Sequence, residues 1–206
     1  MQLKAEDFND QGRFRMLLTL PYGDIVSFVL DYLRRKTGMT LFFWAFCIIS
    51  LGLAATIRIN IAKYFELREI FMHTLLGAVG LPLLVIPFHE LLHIIPYFLS
   101  GARRIRIGMD LRQYIFFVTA HRHVTTPLQF RIVAFFPFLV ITVLLFFLIF
   151  YLPGLWKWSL SLFLFVHNTM CAGDFAMLNF YHINRKRKIY TWDDADAREA
   201  YFYEEI

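Results

Sequence analysis

The sequence predicts an all-α polytopic membrane protein of four transmembrane helices, with a small cytosolic β-hairpin between spans 2 and 3. Three observations lead there. Of 206 residues, 58% are hydrophobic and 24 are Phe. The mean hydropathy of +0.52 is too high for a soluble domain of this size. Four apolar runs, at about 41–57, 75–99, 132–152 and 158–181, each reach or approach the ~20 residues that cross a hydrocarbon layer. Lys and Arg fall outside those runs and cluster on alternate sides.

The N-terminal segment, 1–39, carries Lys4, Arg13, Arg15, Arg34, Arg35 and Lys36. The segment between spans 2 and 3, 101–131, carries Arg103, Arg104, Arg106, Arg112, Arg122 and Arg131. The tail, 184–206, carries Arg185, Lys186, Arg187, Lys188 and Arg198. The other two loops hold only Arg58, Lys63, Arg68 and Lys157. The positive-inside rule therefore puts both termini and the 2–3 segment in the cytoplasm of a multi-pass protein of the cell membrane. No linker, repeat or low-complexity tract divides the chain, so 1–206 reads as one membrane domain. The first residues lack the layout of a cleavable signal peptide. Cys47 and Cys171 fall in apolar runs and read as small buried hydrophobes.

In the first segment, Arg13 to Leu20 reads as a strand. After Pro21-Tyr22-Gly23, Asp24 caps a short helix with Ile25, Phe28, Val29, Tyr32 and Leu33 on one face. That helix is expected to lie on the membrane surface.

Span 2 contains His89-Glu90-Leu91-Leu92-His93. The histidines are four apart, so both rings leave one helix face and can reach a single Zn²⁺, with Glu90 beside them as a general base. A chance match in a chain of this composition is expected roughly 0.01 times. Ionisable groups at membrane depth are costly and mark function by default.

Glu90 and Asp174 are the only acids within the four spans. At a rise of 1.5 Å per residue, His93 and His89 lie about 9 and 15 Å from the cytosolic end of span 2, and Asp174 about 10 Å from that of span 4. Similar depth makes Asp174 the candidate third ligand, leaving a fourth position for water. His167, seven residues earlier on nearly the same face, is an alternative ligand, a hydrogen-bond partner to one, or simply a polar group higher in the membrane. Asn168 is a candidate substrate-binding residue, with helix packing as the equal alternative.

In the 2–3 segment, Arg104 to Asp110 alternates and Tyr114 to Val124 is β-branched and aromatic, with a turn at Asp110-Leu111-Arg112. A hairpin there offers an edge to an extended peptide. His121 and His123 read as exposed strand histidines. Pro82, Pro87, Pro96 and Pro137 kink their helices or are simply tolerated there. The acidic tail reads as a short helix or a frayed end.

The HELLH helix, the β-rich segment after it, the Phe136-Pro137-Phe138 helix and a last helix with Asn168 and Gly173-Asp174 resemble the zincin-peptidase family of bacterial membrane proteins. They also resemble the site-2 protease class of intramembrane zinc metalloproteases. The resemblance covers about 75–183 and implies His89, His93 and Asp174 as zinc ligands and Glu90 as the catalytic residue. Two departures stand out. The proline of the site-2 Asn-Pro-Asp pattern is missing, and Gly precedes Asp174 rather than following it. The expected function is hydrolysis of a peptide bond within or near the bilayer. The alternative is a non-catalytic zinc-binding adaptor or a small transporter. The expected partners are the bilayer and a membrane-protein or peptide substrate, with no nucleic acid and with homo-oligomerisation open.

Overall fold

Helix-forming apolar runs and strand-forming polar segments separate along the chain. In the computed structural model, which describes residues 3–110 and 115–206, they form a helical bundle with β-structure at one end. Strand β1 (Phe14–Pro21) leads into α1 (Ile25–Arg34) and α2 (Gly38–Ile61). Thr37 caps α2, its hydroxyl accepting from the Thr40 N–H at 3.2 Å. Next come α3 (Leu67–Leu75), a π-helical turn (Leu76–Gly80) and α4 (Leu81–Leu99), one continuous helix of 33 residues. The hairpin β2 (Ile105–Asp110) and β3 (Ile115–Ala120) precedes α5 (Pro127–Tyr151). Proline at its first position and a Thr126–Gln129 capping box start α5.

Among the described residues, three helices are long and apolar enough to cross a membrane. A fourth crossing exists if α6 (Leu155–Met170) and α7 (Ala172–Ile183) count together. The sequence predicts one continuous helix over 158–181, whereas the chain bends by 45° between α6 and α7. Apolar side chains cover the outside: Ile48 and Ile49 on α2, Leu83, Leu84 and Phe88 on α4, and Phe147 and Phe150 on α5 are all exposed. Between the helices the buried side chains include Ser50, Thr142 and Asn168. That is the reverse of a water-soluble bundle and what lipid as solvent requires.

The tail departs from expectation. Instead of a helix or frayed end it forms the hairpin β4 (Ile189–Asp194) and β5 (Glu199–Glu205). β5 also pairs antiparallel with β1, giving the order β1-β5-β4. The physical reason is alternation: Ala200 and Phe202 turn inward to the core, while Tyr201 stacks on Trp192 at 4.5 Å. Phe202 and Ile189 join Leu20, Phe28 and Phe180 in one cluster that fastens α7 to both chain ends. The β2–β3 hairpin forms where alternation predicts it, but its turn at Leu111-Arg112 lies outside the described residues. Gly108 sits opposite Phe117, whose ring occupies the space a Cβ would fill and packs on Tyr22 at 4.9 Å. Helix α1 packs along α7, with the Asn179 amide donating to the Tyr32 carbonyl at 2.7 Å.

Candidate metal centre

The site is built on α4. Its i, i+4 spacing sets the His89 and His93 rings 5.3 Å apart, centroid to centroid, and both residues are buried. The 45° bend after α6 swings α7 so that Asp174, in its first turn, faces both rings. Asp174 Oδ2 lies 3.2 Å from His89 Nε2, and Oδ1 lies 3.6 Å from His93 Nε2. Residues 85 positions apart are thereby joined.

The other edge of each ring is also engaged. His93 Nδ1 lies 2.9 Å from the Val133 carbonyl of α5. A carbonyl only accepts, so Nδ1 carries the proton, and in the neutral ring Nε2 is left with its lone pair. His89 Nδ1 lies 3.4 Å from His167 Nε2, on the side of the ring away from Asp174. At His93 a nitrogen lone pair therefore faces the carboxylate, and the His89 tautomer that donates from Nδ1 to His167 presents Nε2 in the same way, so that a cation bound between the two rings and Asp174 finds three donor atoms. Zinc bonds of about 2.0–2.1 Å at tetrahedral angles separate neighbouring ligand atoms by about 3.3 Å. The separations of 3.2 and 3.6 Å fall around that value. The donor set of two imidazoles and one carboxylate thus fits Zn²⁺, with hydrogen bonds on the far ring nitrogens as metal-binding histidines have.

His167 is fully buried, and its Nδ1 has no hydrogen-bond partner among the described residues. Its Nε2 is also 3.7 Å from Cys171 Sγ. Behind His89 rather than beside Asp174, it orients the His89 ring. Asn168, the expected substrate-binding residue, is buried away from the cleft. Its amide donates to Ser50 Oγ at 3.1 Å, and Thr142 Oγ1 donates to its carbonyl oxygen at 3.4 Å. Its polar groups tie α6 to α2 and α5. His121 and His123 stand apart from the centre: the Ala195 N–H donates to His121 Nδ1, and His123 Nε2 meets Ser100 Oγ.

His89, Glu90, His93 and Asp174 line a cleft of about 410 Å³, within the range of small-ligand sites. Glu90 lies against the Val118 backbone of β3. Val26 and Val29 of α1, Phe117 of β3, and Tyr22, Thr119 and Asp193 line the same cleft. Sequence reading alone misses the Val133 carbonyl, since any residue type supplies one. It also misses Asp193, because the tail alternation was not read as a strand.

A family model described as "Putative zincin peptidase" matches residues 82–189, more than half of the chain. The chain belongs to that family. Zincin-family membership carries a zinc cofactor with it, and the matched segment contains every residue of the centre just described. No curated protein and no solved structure matches the chain.

Proposed function

We propose that this zincin-family chain is an intramembrane zinc metalloprotease that hydrolyses a peptide bond of a membrane-protein substrate within or near the bilayer. One observation carries the reading. The two motif histidines and Asp174, from different apolar helices, converge at 3.2 and 3.6 Å beside Glu90 at the wall of a cleft. In this reading His89 Nε2, His93 Nε2 and Asp174 hold the metal, and both termini and the hairpin lie in the cytoplasm of a bacterial cell.

Bound zinc supplies Lewis acidity, polarising the scissile carbonyl and acidifying a water. Glu90 would take a proton from the attacking water on its carboxylate and return it to the leaving nitrogen, so that the C–N bond breaks to a carboxylic acid and an amine, which become a carboxylate and an ammonium once the acid proton passes to the amine. The two histidines keep their positions through the Val133 and His167 contacts, so the ring geometry is set before substrate arrives. The apolar walls of the cleft exclude bulk water and favour an unwound apolar segment. No departure from hydrolytic balance is required: one water is consumed per bond cut.

The test is Glu90→Gln. The variant is expected to keep one zinc per chain by elemental analysis and to lose at least about a thousandfold in cleavage of a reconstituted single-span substrate. Retained cleavage would remove Glu90 from the chemistry. A non-catalytic zinc adaptor would instead show four protein ligands in an X-ray absorption spectrum and no cleavage by the wild type.

A further inference from the structure

The cleft also contains a carboxyl group that the reaction does not use, carried by a strand rather than by the metal-binding helices. Asp193 sits on β4, and neighbouring residues of a strand face opposite ways. Asp194 faces away from the cleft and is itself buried, accepting from Arg122 Nη2 at 3.0 Å and from the N–H groups of Asp196 and Ala197. Asp193 turns the other way and lines the cleft. Its backbone carbonyl accepts from the Arg122 N–H at 2.8 Å, but its carboxyl group has no hydrogen bond or ion pair among the described residues. The residue paired with it on β5 is Ala200, whose methyl leaves the space in front of the carboxyl open.

Two hydroxyls belong to the same cleft. Tyr22 and Thr119 are 5% and 6% exposed, both line the cleft, and neither Tyr22 Oη nor Thr119 Oγ1 has a partner within hydrogen-bond distance among the described residues. Buried polar atoms are nearly always paired, so two buried hydroxyls without a partner, beside a half-buried carboxyl that lines the same cleft, mark a place where a ligand supplies the partners. Hydroxyls and a carboxylate share one capacity: all accept hydrogen bonds.

The sign of the ligand follows from the lining. Among the described residues, no Lys or Arg lines the cleft. Its three carboxyls are Glu90, Asp174 and Asp193, and the first two are committed to the metal and its water in the reading above. Burial with no cation nearby pushes the Asp193 carboxyl up to about 7, a cost that a bound cation would reverse.

We propose that Asp193, with Tyr22 and Thr119, forms a specificity subsite that seats a basic side chain, Lys or Arg, of the substrate a short distance along the chain from the scissile bond. The subsite rests on the metalloprotease reading for its substrate class, though not for its charge. An ammonium offers three N–H donors, and here it meets one carboxylate and two hydroxyls. The preference suits a protease acting near the cytosolic face, where basic residues flank membrane spans.

The experiment uses the zinc-loaded full chain in detergent micelles and N-acetylated tripeptide hydroxamates. One Lys is moved through the three positions of an otherwise norleucine peptide, and matched carboxamides lack the chelating group. At one position, Lys is expected to bind the wild type about tenfold more tightly than norleucine. In Asp193→Asn that ratio is expected to fall to near unity, and in Tyr22→Phe to fall part of the way. A ratio that survives in Asp193→Asn, or no preference for Lys at any position, overturns the subsite. The carboxamides separate this from the metalloprotease reading. If hydroxamates bind no better than carboxamides, the metal reading fails, while the ratio of Lys to norleucine among the carboxamides still reports on Asp193.

Discussion

At the scale of single residues, the direction in which each polar atom faces decides what the site can do. His93 is a metal ligand candidate because the Val133 carbonyl fixes its proton on Nδ1; a histidine without that partner would present either nitrogen. Asp193 gives a pH test that needs no substrate. Burial pushes its carboxyl from 3.8 up to about 7. A carboxyl raised in the folded state holds a proton that the unfolded chain releases. Its contribution to stability is therefore complete below the unfolded value, declines as pH rises toward about 7 and stays low above that. Asparagine has no such loss. Asp193→Asn is expected to unfold at a higher temperature than the wild type at about pH 8, with the gap closing as pH falls toward about 4. Thermal scans of both proteins across that range decide it, and a gap independent of pH would show that Asp193 keeps its charge in the fold.

At the scale of elements, what was legible in the sequence was what a local pattern can carry. The i, i+4 histidines, the apolar lengths and the alternation of Arg104 to Asp110 each state their own structure. The bend after α6 does not, because no proline or glycine stands at Met170 or Cys171; the turn is set by what α7 packs against. The π turn after α3 was equally silent. Its Gly77 is forced by a neighbour 82 positions away: a Cβ there would lie 2.4 Å from the Ser159 carbonyl oxygen and 2.9 Å from its Cα. Both are backbone atoms, so no rotamer change relieves the clash. On the same seam, Ser159 Oγ meets His73 Nδ1 at 2.8 Å and the Trp158 indole donates to Thr74 at 2.9 Å. Gly77→Ala is expected to destabilise by about 1–3 kcal/mol, as overpacking does. Gly52→Ala, with nothing within 4 Å of the added carbon, should be neutral or slightly stabilising. The two midpoints of thermal unfolding, measured side by side, separate a close approach from a generic glycine effect.

Across the whole molecule, the chemistry is carried by helices and the closure by chain ends. The residues of the metal centre all lie within 82–189, while the cleft also takes Tyr22 from the first strand region and Asp193 from the last hairpin. Phe202 is where these parts meet. It is 1% exposed, and its ring lies 5.0 Å from Phe180 and 6.4 Å from Tyr181, both on α7, the helix that begins with Asp174. β5, which carries it, pairs with β1 on one side and β4 on the other. Removing that ring leaves a cavity bounded by the N-terminal strand, the tail and the helix that carries Asp174 at once. Phe202→Ala is therefore expected to cost about 3–5 kcal/mol, read as a lower unfolding midpoint with zinc absent as well as present. Because α7 loses its support, the variant should also bind zinc more weakly, although Phe202 lies outside the matched segment and bears no donor atom. If zinc affinity stays at the wild-type value while stability falls, α7 is held by the helices alone, and the sheet is a cover rather than part of the frame that sets Asp174.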